Sequence, residues 1–244
     1  MTVSNADKSM LDKWTDRVPP LLGNVTTVRE VEAADVYPLF TLFSDPAVTA
    51  YMAPPPPTLA KFAGFVEWSH RQRAQGRGVC FGIVPAGMTT AVGIFQVRWQ
   101  DAAAADAEWG FVLSAHFWST GVFVDAASVL VEFAFTSMRV KRLEARIALR
   151  NRRAQAAVQK LGAHRESMLP SPAPAGMTRD PESVWILRES DFRGRVPDDR
   201  ISADVATERI RRAIDAAESD LRRREAPEAV EPYPLFLFDR RRRE

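Results

Sequence analysis

A short polar turn, Ser119-Thr120-Gly121, stands between a segment that favours a strand and a segment that favours a helix. The first backbone N–H groups of a helix have no partner inside it, and a glycine beside them lets a ligand approach closely. Such a turn can bind an anion the size of a pyrophosphate. Many strand–turn–helix junctions share these features, so an ordinary turn is the alternative interpretation.

The histidines and the single cysteine are candidates for metal ligands or catalytic bases. His116 lies just before the turn and is either an exposed turn histidine or a base on the substrate side. His70 and His164 show no ligand spacing with each other or with Cys80, so no metal site is expected. Cys80 sits in an apolar strand segment and is interpreted as a small core residue. A single cysteine also excludes an intrachain disulfide.

Charge and hydropathy exclude several classes of protein. The net charge of +2 comes from 33 basic and 31 acidic residues, which leaves no overall basic surface for nucleic acid. The sequence contains no run of about eighteen apolar residues without charge, so a membrane span is not expected. The start of the chain lacks the pattern of a secretory signal, so a cytoplasmic location is expected. The excess of arginine over lysine, with abundant alanine, is interpreted as bacterial coding bias.

The periodicity of apolar residues predicts alternating strands and helices around the turn. Strands are expected at 26–31, 79–84, 91–100, 107–113, 142–149, 163–169 and 183–187. Helices are expected at 33–43, 59–74, 123–138 and 151–161. This order predicts an α/β protein with a mixed sheet and helices on its faces. The helix at 123–138 joins two strands as a crossover, so those two strands should be parallel.

Composition divides the chain into three parts. Residues 1–24 are expected to be a polar lead-in, 25–190 the main domain, and 191–244 a C-terminal helix with an arginine-rich tail. The helix is expected at 203–224, with an apolar stripe formed by Ile210, Ile214, Ala217 and Leu221. The apolar run 235–238 must be covered, which suggests packing on the chain itself or a homodimer. Arginines 240–243 are interpreted as a solvated end, with nucleic acid or acidic lipid as the alternative.

Two segments, 108–135 and 142–166, resemble the GNAT superfamily of N-acetyltransferases, and most closely its ribosomal-protein-alanine N-acetyltransferase branch. The family pattern is a strand with Glu and Gly, a Trp, a glycine loop opening an aromatic helix, and an Asn that starts a helix ending in Lys-Leu-Gly. The counterparts here are Glu108-Trp109-Gly110-Phe111, Trp118, Gly121, Glu132-Phe133-Ala134-Phe135, Asn151 and Lys160-Leu161-Gly162. The resemblance covers about residues 24–190 and implies an acyl-CoA N-acyltransferase fold with a C-terminal helical extension.

The resemblance also implies roles for particular residues. Acetyl-CoA would be the cosubstrate, and its acetyl group would pass to a primary amine by direct attack. The residues that would bind the cofactor are Phe111, Val112 and Leu113 for the pantetheine arm, Ser119, Thr120, Gly121 and Val122 for the pyrophosphate, and Asn151 near the thiol arm. Glu108 is the candidate base, with a structural carboxylate satisfied by Arg98 as the alternative.

Several positions depart from the family pattern. Phe123 replaces a small residue in the loop and either crowds the pyrophosphate or points into the core. Val158 stands where many relatives have the tyrosine that protonates the leaving thiolate. These departures favour, as the alternative function, a degenerate domain that binds acyl-CoA or a protein without turnover. Tyr51 and Trp99 are the candidate substrate-binding residues, and the acceptor is expected to be a protein N-terminus or a small amine.

Overall fold

The structure is a computed structural model that describes residues 14–52, 55–101, 105–170, 181–192 and 203–223. Its strands are β1 (Leu21–Leu22), β2 (Thr26–Glu30), β3 (Gly78–Pro85), β4 (Gly93–Asp101), β5 (Asp106–Leu113), β6 (Arg142–Ala148), β7 (His164–Leu169) and β8 (Glu182–Arg188). They form one sheet in the order β1-β2-β3-β4-β5-β6-β8-β7. Only β5 and β6 pair in parallel, which confirms the predicted crossover.

In the described residues six α-helices have defined bounds, besides a short helical stretch at 14–16. They are α1 (Val36–Leu42), α2 (Pro46–Thr49), α3 (Leu59–Ala74), α4 (Val122–Thr136), α5 (Arg152–Lys160) and α6 (Ala203–Arg223). The helix predicted at 33–43 begins instead as a 3-10 turn, Ala33–Asp35. Helix α1 ends at Leu42, just before Ser44-Asp45-Pro46, and a separate helix follows because Asp45 accepts a hydrogen bond from the Ala47 N–H at 2.9 Å and caps α2. Proline at the first helical position supports that start.

Each face of the sheet carries its own apolar core. On one face α1 and α3 pack on alternate residues of β3, β4 and β5, including Cys80, Ile94 and Val112. On the other face α4 packs on the intervening residues, and residues of α5 and α6 join it. Because successive side chains of a strand point to opposite faces, β5 contributes to both cores.

The N-terminal segment takes part in the core. Trp14 and Val18 each expose only 5% of their surface, and β1 pairs with β2. The prediction of a polar lead-in over 1–24 was therefore wrong from residue 14 onward, since two apolar side chains in it are buried. The domain boundaries at 24/25 and 190/191 stay a prediction.

Helix α6 packs on the body of the protein. Ile210 and Ala217 of the predicted stripe are buried together with Ala213, and Ile214 packs partly buried against the core. The neighbour of α6 is the 3-10 turn Ala115–Phe117, which follows β5. The apolar run 235–238 and the arginines 240–243 lie outside the described residues. No helix in the described ranges is long and apolar enough to cross a membrane.

Candidate active site

Strands β5 and β6 diverge and open a wedge between them. Their parallel pairing covers only three positions and ends at Glu108 opposite Glu144. Beyond that point β5 stays paired with β4 as far as Leu113, while β6 stays paired with β8 as far as Ala148. The edge of β5 that faces β6 therefore carries no strand partner from Trp109 onward. An extended ligand can lie along such an edge as an added strand.

The predicted anion-binding turn lies at the wide end of this wedge. Ser119 and Gly121 both adopt left-handed backbone conformations, with φ of +62° and +93°. Thr120 is buried, and its hydroxyl donates to the Phe117 carbonyl oxygen at 2.8 Å. Gly121 is the N-cap of α4 and has no side chain with which to cap it, and the Val122 N–H meets only the Thr120 hydroxyl oxygen, at 3.4 Å. The turn thus presents backbone N–H groups and the positive end of a fifteen-residue helix.

Phe123 points away from this turn, into the core. Its ring centre lies 4.7 Å from that of Phe111 and 5.8 Å from that of Phe95. Trp109 packs on Phe111 and Phe95 at 5.4 and 6.2 Å, which completes an aromatic cluster of four side chains. Two orientations were expected for Phe123, and the structure has its ring in the core. The ring therefore packs on the core side of the turn.

Asp125, in the first turn of α4, fixes the helix to the N-terminal segment. Its carboxylate accepts hydrogen bonds from the backbone N–H groups of Asn24 and Val25 at 2.8 and 3.0 Å, and from the Thr26 hydroxyl at 2.7 Å. Sequence reasoning missed this residue because its partners lie about 100 positions earlier in the chain. Three donors occupy the carboxylate, which holds the start of α4 in place.

A charged row crosses the opposite face of the sheet, where the strands part. It consists of Arg98, Glu108, Arg146, Glu144 and Arg142. Glu108 contacts Arg98 at 2.9 Å and Arg146 at 3.8 Å, and Glu144 contacts Arg146 at 2.8 Å and Arg142 at 3.0 Å. Glu108 is buried, with 7% of its side chain exposed, while Arg98 and Arg146 expose 35% and 28%.

Two like charges face each other in this row, since Glu108 and Glu144 are register partners. Directly opposed like charges destabilise a sheet unless counter-charges compensate them. Burial raises the pKa of Glu144, but the hydrogen bonds and positive charges of Arg146 and Arg142 outweigh burial and lower that pKa below its ordinary value. Alternating charges in β6, otherwise apolar, were the sequence signal for this row.

Helix α5 forms the far wall of the wedge. Asn151 is its N-cap, and its side-chain oxygen accepts from the Ala154 N–H at 3.1 Å, as predicted. Val158 is fully buried in the apolar core and offers no proton. Arg153, in the first turn of the helix, lies with its guanidinium carbon 3.6 Å from the ring centre of Trp118. Neither residue was predicted to meet the other.

The remaining predicted residues are spread more widely. His116 lies at the surface, and its Nε2 atom is 2.8 Å from a carboxylate oxygen of Asp220 on α6. Tyr51 follows α2 and exposes 47% of its surface. Trp99 packs against the core on the face of Trp109, opposite the face that carries Glu108. The structure therefore places Glu108 where the wedge begins and the turn at its wide end, and sets Trp99 on the face opposite Glu108.

Cys80 is a core residue, as predicted. It exposes 2% of its surface, and burial, with a smaller contribution from Glu30 and Asp35, raises the pKa of its thiol. A thiol that does not ionise is a poor nucleophile. In the part of the chain that the structure describes, no three His, Cys, Asp or Glu side chains are grouped to hold a metal ion.

Comparisons with known proteins agree with this geometry. The sequence model described as "Acetyltransferase (GNAT) domain" matches residues 26–164. A relative from Bacillus licheniformis, an uncharacterized N-acetyltransferase designated p20, is 26% identical over 144 residues, which cover 59% of this chain and 81% of the relative.

Two solved structures share the fold. A ribosomal-protein-S5-alanine acetyltransferase from Vibrio fischeri superposes with a TM-score of 0.63 at 13% identity, covering 72% of this chain and 99% of that one. A GNAT-family acetyltransferase from Bacillus anthracis gives a TM-score of 0.61 at 20% identity, covering 70% and 99%.

The open edge of β5 beside the start of α4 is a place where an extended ligand with an anionic group can lie. The family match spans more than half of the chain, which therefore belongs to the acetyltransferase (GNAT) family. The predicted fold and the acyltransferase class are confirmed, and acetyl-CoA is the cosubstrate of this family.

Proposed function

We propose that this N-acetyltransferase moves the acetyl group of acetyl-CoA to a primary amine, with Glu108 as the base. The observation that carries the proposal is the position of Glu108, at the last paired residue of β5 before the wedge opens. A thioester lying along the open edge would have this carboxylate beside it. In this arrangement the cofactor lies in the wedge, and the acceptor amine approaches the face of the sheet that carries the charged row.

Backbone groups bind the cofactor in this proposal. The pantetheine arm pairs with Phe111, Val112 and Leu113, since this part of β5 has no strand partner on the side of β6, although the Leu113 carbonyl oxygen already accepts from the Trp118 indole. The pyrophosphate accepts hydrogen bonds from the N–H groups of 119–122, which the left-handed residues and the start of α4 favour. The Asn151 amide uses its oxygen as a cap, so its NH₂ group is the part that contacts the cofactor.

The chemical step is direct attack of the neutral amine. An α-amino group, with a pKa of about 7.7–8.0, is mostly protonated at neutral pH and must lose a proton first. Glu108 takes that proton, directly or through one water. The amine nitrogen then bonds to the thioester carbon, the carbon–sulfur bond breaks, and the sulfur leaves with the electron pair. The thiolate takes its proton from water, because Val158 cannot supply one.

The orientation of Phe123 bears on the alternative of a binding module without turnover. That alternative rested on crowding of the pyrophosphate and on the missing tyrosine. The Phe123 ring packs among Phe95 and Phe111, which removes the first reason. The second reason concerns only the fate of a thiolate, which water can protonate. We therefore favour turnover.

The acceptor is proposed to be a protein N-terminus or a small amine, with Tyr51 as a candidate for its contacts, whereas Trp99 lies on the face opposite Glu108 and is not assigned to the acceptor. The likeness to the ribosomal-protein acetyltransferase of Vibrio fischeri supports the first class. A microcin C7 self-immunity acetyltransferase, crystallised with acetyl-CoA and AMP, has the same fold at 17% identity and a TM-score of 0.59, and it supports the second. The bacterial relatives fit our proposal of a bacterial cytoplasmic enzyme.

An acceptor screen by mass spectrometry tests the proposed function. Purified protein and acetyl-CoA are incubated with peptides bearing free N-termini, with small amines, and with the same peptides blocked at the N-terminus. We expect acetylation of free amines only, and loss of that product in Glu108→Gln. Acetylated product from blocked peptides lacking lysine, or no product from any amine, would count against it.

A homodimer through 191–244 is a further proposal, motivated by the apolar run 235–238. Deleting 226–244 should change the oligomeric state or lower solubility. Size-exclusion chromatography with light scattering measures both, and an unchanged monomer would remove the idea.

A further inference from the structure

A stacked pair of side chains bridges the two walls of the wedge. Trp118 belongs to the segment between β5 and α4, and Arg153 belongs to the first turns of α5. The Arg153 guanidinium carbon lies 3.6 Å from the ring centre of Trp118. The indole is itself held, because its Nε1 donates to the Leu113 carbonyl oxygen at 3.0 Å. The stack thus joins both sides beyond the point where β5 and β6 part.

The stack leaves the hydrogen-bonding capacity of Arg153 available. A guanidinium that packs with its flat face on an indole keeps its N–H donors pointing outward in its own plane. Arg153 is exposed, and among the described ranges no carboxylate lies at ion-pair distance from it. The arginines of the charged row, by contrast, each contact a glutamate.

The position of this charge favours one kind of ligand. Trp118 directly precedes the left-handed Ser119 and the start of α4, so the guanidinium stands beside the proposed pyrophosphate site. Phosphate oxygens are the groups that an arginine fork and a helix start bind together. A pre-positioned arginine loses less rotamer freedom on binding than one that is free in solvent.

We propose that Arg153, held on Trp118, is a binding residue for a phosphate group of CoA. This inference rests on the proposed use of the wedge for acetyl-CoA. The phosphate is either the pyrophosphate or the 3′-phosphate on the ribose, which have the same chemistry. The residue acts on cofactor affinity and takes no part in proton transfer.

The test measures dissociation constants by isothermal titration for acetyl-CoA and for acetyl-3′-dephospho-CoA. The variants are Arg153→Ala and the matched control Arg152→Ala, which removes an exposed arginine from the same helix turn. We expect Arg153→Ala to weaken acetyl-CoA binding about tenfold relative to the control, as for one charge-assisted contact. Trp118→Phe should keep most of the affinity, and Trp118→Ala should lose part of it.

Each result has a defined meaning. An equal loss for both ligands assigns Arg153 to the pyrophosphate, and a loss for acetyl-CoA alone assigns it to the 3′-phosphate. If Arg153→Ala matches Arg152→Ala with both ligands, the inference is overturned while the proposed function stands. If the unaltered chain binds neither ligand, the proposed function fails, and the inference fails with it.

Discussion

The two faces of strand β5 are built from opposite kinds of side chain. On one face Trp109 and Phe111 pack with Phe123, and on the other Glu108 pairs with Arg98. Packed rings hold one arrangement, because displacing them forfeits many close contacts. Ion pairs with partly exposed arginines exchange partners at small cost. The aromatic face therefore fixes the turn proposed to meet the cofactor, and the charged face is the one proposed to receive an acceptor.

The largest expected effect is on the charged face. Glu108→Gln keeps the shape of the side chain and removes its capacity to take a proton. We expect kcat/KM for an amine to fall about 10²- to 10³-fold, as for loss of a general base. The affinity for acetyl-CoA should change little, since Glu108 is not among the residues proposed to bind it. Steady-state kinetics and calorimetry separate the two effects.

Glu166→Gln is the matched control for Glu108→Gln. Glu166 is exposed and pairs with Arg142 at 2.8 Å, at the outer end of the same series of ion pairs. Its loss should leave kcat/KM close to that of the unaltered chain. Equal losses in the two variants would mean that Glu108 contributes only to the ion-pair network.

On the aromatic face, Phe123→Ala should lower the free energy of unfolding. A half-buried phenylalanine among three rings should contribute about 2–3 kcal/mol, somewhat less than a fully buried one. Urea denaturation measures the loss. If the variant were as stable as the unaltered chain and bound acetyl-CoA more tightly, the ring would be crowding the pyrophosphate after all.

Two glycines with equal space around them sharpen the comparison further. A Cβ at Gly121 or at Gly64 would meet no atom within 4 Å, but Gly121 has a φ of +93°. Gly121→Ala should therefore cost about 1–2 kcal/mol through the left-handed backbone alone. Gly64→Ala, inside α3, should raise stability by roughly 0.5–1 kcal/mol. Thermal melts of both variants check the opposite signs.

The smallest expected effect is the pH dependence of the charged row. The fold lowers the pKa of Glu144, so its stabilising contribution is present above the pKa of the unfolded chain. That contribution is lost as the pH falls through the folded-state pKa. Glu144→Gln should cost about 1 kcal/mol near neutral pH, and the difference should shrink below about pH 4. A constant difference across that range would contradict the assigned ion pairs.

The sequence was sufficient for the features that depend on neighbouring residues. Gly121 marks the start of α4, and Asn151 caps α5. The apolar periodicity predicted two strands joined by a helix, and therefore the parallel pairing of β5 and β6. Each of these rests on dihedral preferences or apolar spacing within about fifteen residues. The resemblance to the family added the order of the parts.

Contacts between distant segments could not be predicted in the same way. Asp125 binds the backbone at Asn24, 101 positions away, and His116 meets Asp220, 104 positions away. The stack of Arg153 on Trp118 depends likewise on how far β5 and β6 diverge, which no local pattern specifies. Trp14 was missed because the many polar residues and the two prolines of its segment indicated a lead-in rather than a part of the core.

Isothermal titration of the unaltered chain with acetyl-CoA tests the central claim most directly. If the wedge and the turn bind the cofactor, the titration should saturate at one acetyl-CoA per chain, and the bound protein should melt at a higher temperature. No heat and no thermal shift at millimolar acetyl-CoA would contradict the account.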